Sequence, residues 1–316
     1  MKACVDIGGT KVAVSLVHND APQQLGHRRA EPTAKTGAND ALARQVIRMV
    51  EEACAEAGVD ASAIQTVGVS SCGPFVVKAG QIELAAPNIC GGLAGPERGL
   101  PNDWQVALLE APLRARFGAV RVENDCVAAL EAERRWGALQ GFDHCAYVTW
   151  STGIGMGVCV DGRVLRGKNG NAGHGGHMFV SDDSSDALCG CGNVGDVEAL
   201  VAGNAITRRF GPQAGQPGWA GAAELVTAAR QGDAAALVVV DDLCRVLGRA
   251  LYNLVVLLDL QRISLGGSVF WHHRDFLLPR LQAQVSGHFP ALTQGVLLVP
   301  AGLGNTVGDY AALALA

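Results

Sequence analysis

The residues of this 316-residue chain best suited to chemistry fall in a few short runs. The first is Asp6-Ile7-Gly8-Gly9-Thr10-Lys11. Glycines in a tight turn let backbone N–H groups approach phosphate oxygens, because no Cβ intervenes. Thr10 and Lys11 add a hydroxyl and a positive charge, and Asp6 at the strand end is a candidate Mg²⁺ partner, directly or through water. A plain hairpin reversal is the bland alternative for such a turn. Ser151-Thr152-Gly153-Ile154-Gly155 offers a second phosphate-sized turn, with Thr152 and Gly153 at its centre. Gly266-Gly267 closes a strand-like run, where an adenine ring could lie against bare backbone or two segments could simply pack closely.

A second group of residues carries acid–base and ligand chemistry. Glu123-Asn124-Asp125 lies where a strand yields to a helix. Asp125 can cap that helix or serve as a base, and Asn124 beside it both donates and accepts, as sugar hydroxyls require. His174 and His177 sit on the polar loop Gly170–His177, read as ligands or substrate contacts. Cys189-Gly190-Cys191 follows, with Asp196 and Glu198 shortly after. A C-x-C turn near a histidine is a candidate zinc site with Asp196 as fourth ligand; two unpaired thiols are the alternative.

These residues need elements to hold them. Lys2–Ile7 and Val12–Val17 read as strands of one hairpin, and Asp40–Ala57 as an amphipathic helix stopped by Gly58. Thr66–Ser70 and Ala119–Glu123 read as strands, with a loop-rich stretch over Ser71–Pro101 between them and a helix over Asp125–Trp136 after. Strand, small-residue turn and strand recur at Cys145–Val160, about one domain length after the first occurrence. That spacing suggests duplicated α/β domains facing each other across a cleft. The junction is expected near Arg121: residues 1–120 form a smaller first domain and 121–302 a larger second one. A helix over about 303–316 is free to return to the first, and Gly211–Gly221 reads as a surface loop.

Composition narrows the class. The chain is 49% hydrophobic and 17% charged, with a net charge of −5. Such a balance suits a compact enzyme and offers no whole-chain attraction for nucleic acid or acidic membranes. The longest apolar region, Ala234–Leu260, carries Asp241, Asp242, Arg245 and Arg249, so it reads as a buried helix and not a membrane span. With ten cysteines and no apolar leader-like start, a cytoplasmic protein with reduced thiols is expected. There is no G-x-x-x-x-G-K-[ST], and the glycines lead into strands where a dinucleotide fingerprint would open a helix.

Taken together, these motifs resemble the ROK family of bacterial glucokinases, N-acetylmannosamine kinases, fructokinases and related repressors. The resemblance rests on DIGGTK from Asp6, Gly73-Pro74, Pro87-Asn88, Asn124-Asp125, TGIG from Thr152, Asn171–His177, Cys189–Glu198 and Leu265–Gly267. It implies a two-domain actin-like ATPase (ribonuclease H-like) fold with a cleft between the domains, closing on a sugar and MgATP, usually in a homodimer. It also implies Asp125 as general base for phosphorylating a hexose or amino-hexose at its 6-hydroxyl. Asn88, Asn124, His177 and Glu198 would bind the sugar, Gly73 would approach it through backbone, and the glycine turns would hold ATP. His177 would share a structural Zn²⁺ with cysteines.

Two positions depart from the family pattern. His174 stands where a sugar-binding Glu is usual, so a neutral imidazole with one donor and one acceptor replaces a carboxylate. Asp196 stands where a third cysteine is usual. The alternatives to a kinase are a sugar-responsive regulator and an inactive sugar-binding protein. The regulators carry a helix-turn-helix ahead of the kinase-like part, and DIGGTK beginning at Asp6 is expected to leave no room for one.

Overall fold

A computed structural model describes residues 1–18, 24–94, 99–180, 187–213 and 218–316. Residues 95–98 of the Ser71–Pro101 stretch and residues 214–217 of the Gly211–Gly221 loop lie outside them. The chain divides into two compact units, Met1–Ala132 with Arg166–Ala172 and Thr306–Ala316, and Glu133–Leu165 with Gly173–Asn305.

Unit 1 is built on strands β1 (Lys2–Ile7), β2 (Lys11–Val17), β3 (Leu25–Pro32), β4 (Thr66–Ser71) and β7 (Val120–Asn124), in the order β3-β2-β1-β4-β7. β1 pairs antiparallel with β2 and parallel with β4, and β4 pairs parallel with β7. Strands β5 (Phe75–Lys78) and β6 (Gln81–Leu84) form a separate hairpin. It lies inside the stretch that sequence reads as loop. Its turn is Ala79-Gly80, both at positive φ, a combination that lacks the usual Asn-Gly or Asp-Gly signature.

Helix α1 (Ala41–Glu56) buries Leu42, Val46, Met49, Val50 and Ala53 on one stripe, as their spacing dictates. Three further helices are α2 (Gly91–Ala94), α3 (Glu110–Phe117) and α4 (Asp125–Trp136), and the chain passes to unit 2 within α4.

Unit 2 repeats the plan. Strands β8 (Cys145–Trp150), β9 (Ile154–Val160), β10 (Arg163–Val164), β11 (Arg262–Gly266) and β12 (Leu297–Pro300) run in the order β10-β9-β8-β11-β12. Again the first strand pairs antiparallel with the second and parallel with the fourth. Each parallel pair demands a crossover, and helices supply it. They are α5 (Val197–Val201), α6 (Gly203–Phe210), α7 (Ala222–Arg230), α8 (Ala234–Leu258), α9 (Ser268–Trp271), α10 (Arg274–Val285) and α11 (Pro290–Thr293). α8 is capped by Asp233, whose side chain accepts from Ala236 N, and its apolar side joins the core with Val148, Ile263 and Leu265. A last helix, α12 (Val307–Leu315), packs on β1 and β4 of unit 1. No helix among the described residues is long and apolar enough to cross a membrane.

Glu133 on α4 is fully buried. Its carboxylate accepts from Ala138 N at 2.9 Å, Gly302 N at 2.9 Å, Leu303 N at 2.8 Å and Ser264 Oγ at 3.0 Å. Glu133→Gln would turn an amide donor toward these donors and is expected to cost about 2–4 kcal/mol. Urea unfolding measures this, and an unchanged midpoint would refute it.

Candidate active site and metal centre

In unit 1 the turn between β1 and β2 is tied from behind. Gly8 N donates to Lys11 O at 2.9 Å. Thr33 donates its N–H to Thr10 O at 3.0 Å and its hydroxyl to Gly8 O at 2.7 Å. With these carbonyls engaged behind, the Thr10 and Lys11 side chains stand exposed. A Cβ on Gly9 would collide with the Asn88 carboxamide, so this backbone and Asn88 are neighbours only because residue 9 is glycine. Cys72 Sγ lies 4.0 Å from Asn88 Oδ1, and the next residue, Gly73, opens the cis Gly73-Pro74 peptide.

Asp6, next to last in β1, lies on the same strip as Ser70 of β4 and Glu123 of β7, since the three are in register. Burial, then repulsion from Asp125 and Asp309, pushes its carboxyl up to about 7, against the pull of Lys11 and Arg28. Burial also raises the Asp125 carboxyl, against hydrogen bonds from Cys126 and Asn124. Asp125 is the first residue of α4, and its Oδ1 accepts from Cys126 N at 2.8 Å. Asn124 Oδ1 accepts from the same N–H at 3.0 Å. One Asp125 oxygen therefore serves the helix start. A carboxyl raised by burial and by neighbouring carboxylates, as Asp6 is, is also what a nearby divalent cation would relieve.

Unit 2 brings its two glycine turns together. Ser151 N donates to Gly153 O at 3.0 Å, and Ser151 O accepts from Gly203 N at 2.8 Å. Ser151 Oγ lies 3.1 Å from Ser268 Oγ, the first residue after Gly266-Gly267. Glu198, carried by α5, accepts from Ile154 N at 3.0 Å, and a Cβ on Gly153 would stand 2.7 Å from its Oε2. The Glu198 carboxylate is therefore seated on the Thr152-Gly153 turn, a link that no sequence spacing announces.

The metal candidates converge within unit 2. Ligand atoms of His177, Cys189, Cys191 and Asp196 all lie within 4.8 Å of one another. His177 Nδ1 is 3.2 Å from Asp196 Oδ2 and 3.5 Å from Cys189 Sγ, and Cys191 Sγ is 3.4 Å from Asp196 Oδ2. Ligand–ligand edges of about 3.3–3.8 Å are what a tetrahedral zinc with nitrogen and sulfur donors needs. The set fits. Asp196 Oδ1 meanwhile accepts from Ala199 N at 2.8 Å and caps α5. Contact with Asp196 raises the His177 imidazole. The Asp196 carboxyl, pulled upward by burial, is held low by hydrogen bonds from His177, Cys189, Ala199 and Cys191. His174 stacks on His177 at 6.1 Å, its Nε2 buried without a hydrogen-bond partner among the described residues, and burial lowers its pKa.

Unit 1 thus holds Asp6–Lys11, Gly73, Asn88, Asn124 and Asp125, and unit 2 holds Thr152, Gly153, His174, His177, Cys189, Cys191, Asp196, Glu198, Gly266 and Gly267. Sequence reasoning passed over Thr33, whose hydroxyl is ordinary in isolation, and Asp309, which reaches Asp6 only through the return of α12.

Comparison with known proteins gives consistent relatives. A glucokinase from Aeropyrum pernix is 29% identical over 330 residues, 99% of this chain and 95% of its own length. An N-acetylmannosamine kinase from Salmonella typhimurium is 33% identical over 268 residues, 84% of this chain and 82% of its own. A ROK family glucokinase from Streptomyces griseus, solved with glucose and AMPPNP, superposes with a TM-score of 0.71 at 27% identity, covering 100% of this chain and 98% of that one. The architecture is the two-domain actin-like ATPase fold of these sugar kinases. The ROK family profile matches residues 2–316, and the chain belongs to the ROK family.

Proposed function

We propose that this chain transfers the γ-phosphoryl group of MgATP to the 6-hydroxyl of a hexose or amino-hexose, with Asp125 as general base. Sugar phosphorylation is the reaction of the relatives named glucokinase and N-acetylmannosamine kinase. The observation that carries the assignment is Asp125 itself, a carboxylate at the β7–α4 junction whose Oδ1 is held by Cys126 N at the helix start and whose proton affinity burial has raised. It takes the hydroxyl proton as the sugar oxygen bonds to the γ-phosphorus and ADP leaves with the bridging oxygen.

Asn88, Asn124, His174, His177, Glu198 and the backbone of Gly73 would contact the sugar. Asp6, the turn Gly8–Lys11, Thr152-Gly153 and Gly266-Gly267 would serve MgATP, Asp6 facing Mg²⁺. Mg²⁺ would neutralise charge on the phosphates, and Zn²⁺ held by His177, Cys189, Cys191 and Asp196 would be structural. No disulfide joins the cysteines among the described residues, which suits a cytoplasmic setting. Exposed Phe179, Leu188 and Val194, all near the metal loop, suit a homodimer. Two functional halves, residues 1–120 and 121–302 in outline with the terminal helix serving the first, remain our division, with residues 121–132 packing on unit 1.

A coupled ADP-release assay over hexoses, N-acetylhexosamines and amino-hexoses tests this. Turnover is expected with glucose or N-acetylmannosamine; ADP release at the no-sugar background across the whole panel would overturn the assignment. In the same panel His174→Glu is expected to change relative kcat/KM between sugars by about tenfold, because an orphaned imidazole nitrogen and a carboxylate select different hydroxyl patterns. Unchanged ratios would remove His174 from the pocket.

A further inference from the structure

The segment Arg166–Ala172 departs from its neighbours in sequence. The residues before it and after it belong to unit 2, yet these seven pack with unit 1. The segment closes on itself, Ala172 N donating to Arg166 O at 3.0 Å. It is fastened to unit 1 at two points. Arg166 Nε donates to Glu123 Oε1 at 2.5 Å, and its terminal nitrogen donates to Glu131 Oε1 at 2.5 Å. Both carboxylates are shared with Arg121, at 3.2 and 2.7 Å, and their side chains are only 8% and 14% exposed. Such a two-pronged bridge between shielded carboxylates resists solvent screening better than a surface pair.

At its other end Asn171 mimics a strand partner. Its Oδ1 accepts from Phe75 N at 2.8 Å and its Nδ2 donates to Phe75 O at 2.7 Å. Both polar groups of one peptide position are thus satisfied by one carboxamide.

The two anchors fall on the two parts of unit 1 assigned to the sugar. Glu123 immediately precedes Asn124-Asp125, and Glu131 lies two turns further along the helix that Asp125 begins. Phe75 immediately follows Gly73-Pro74. We propose that Arg166 and Asn171 are positioning residues. Together they strap the Asp125 junction to the Gly73-Pro74 turn and so hold the base at a set distance from the backbone that receives the sugar. This rests on the assignment of Asp125 and Gly73 made above. Neither residue touches substrate; each acts through the strap. The physical reason is that a peptide turn and a strand–helix junction on separate segments have no covalent reason to keep register. A misplacement of about 1 Å costs about a hundredfold in rate.

The test compares Arg166→Met, Asn171→Ala, the double variant and Arg166→Lys with the wild-type chain, in steady state and well below each variant's Tm. Each single change is expected to lower kcat and to raise the sugar KM, together costing about tenfold or more in kcat/KM for the sugar. The KM for MgATP is expected to stay within about twofold, a split that a general loss of structure would not produce. The double variant is expected to cost no more than the worse single one, because either change releases the same strap. Arg166→Lys keeps the charge but not the fork and is expected to recover only part of the loss, and it serves if Arg166→Met fails to fold. Equal rises in both KM values, additive losses, or an unchanged sugar KM would overturn the strap. A wild-type chain without sugar-dependent turnover would overturn the kinase assignment and this proposal with it, whereas normal wild-type turnover beside unaffected variants would overturn the strap alone.

Discussion

Replacing Asp125 by Asn is expected to lower kcat by about a hundred- to ten-thousandfold while sugar affinity, followed by calorimetry, stays close to that of the unaltered chain. Asn matches Asp in shape, and its side-chain oxygen can still accept from Cys126 N, so the start of α4 is preserved. What disappears is the carboxylate proposed to receive the hydroxyl proton. Near-normal turnover in this variant would remove Asp125 as the base.

The pH dependence follows from the same burial. A base works ionised, and burial raises the Asp125 carboxyl above its ordinary value. The wild-type kcat/KM should therefore fall as pH drops through that raised pKa, and the residual rate of Asp125→Asn should lack this limb. Stability runs the other way. A carboxyl raised in the folded state favours folding below its unfolded pKa, and that contribution is lost as pH rises through the folded value. At pH 8 Asp125→Asn should be the more stable protein, with the difference gone in acid. Asp6, pushed up to about 7, should behave alike under Asp6→Asn. Thermal melts across pH measure both, and a variant less stable than wild type at pH 8 would contradict the sign.

The second large effect is expected at the metal cluster. Freshly purified protein should hold about one zinc per chain, and chelation should raise the sugar KM and lower Tm, since His177 and α5 are anchored there. Asp196 allows the metal and helix roles to be separated. Its Oδ1 caps α5 while Oδ2 faces His177 and Cys191.

Asp196→Asn keeps a good cap but loses the anionic ligand, so metal affinity should fall by about a hundredfold or more. Asp196→Cys restores a third thiolate, so metal should bind more tightly and the sulfur-to-cobalt charge-transfer band of the Co²⁺ form should grow. The lost cap would cost that variant about 1 kcal/mol in metal-free stability. A metal content near zero in fresh protein, or wild-type affinity in Asp196→Asn, would sink the site.

Much of the local chemistry was legible in the sequence. A glycine turn between two β-rich runs, an Asn-Asp pair where a strand becomes a helix, and a C-x-C turn near a histidine each state their own geometry. Neighbouring residues alone decide those backbones. The repeat of strand, turn and strand in both halves was legible for the same reason, and the two sheets share one strand order. The hairpin Phe75–Leu84 was not, because its short strands are only partly buried and its Ala-Gly turn carries no strong signature.

The sequence by itself determined which residue types are on offer to phosphate, sugar and metal, and hence the family. Tertiary structure alone decided what holds them: Thr33 behind the first turn, Glu198 against Gly153, Asn88 against Gly9, Asp309 near Asp6, and Arg166 between Glu123 and Glu131. These partners lie tens to hundreds of residues apart. No periodicity links them; sheet register and helix packing bring them together, so the polar groups that position the chemistry become visible only when the chain is folded.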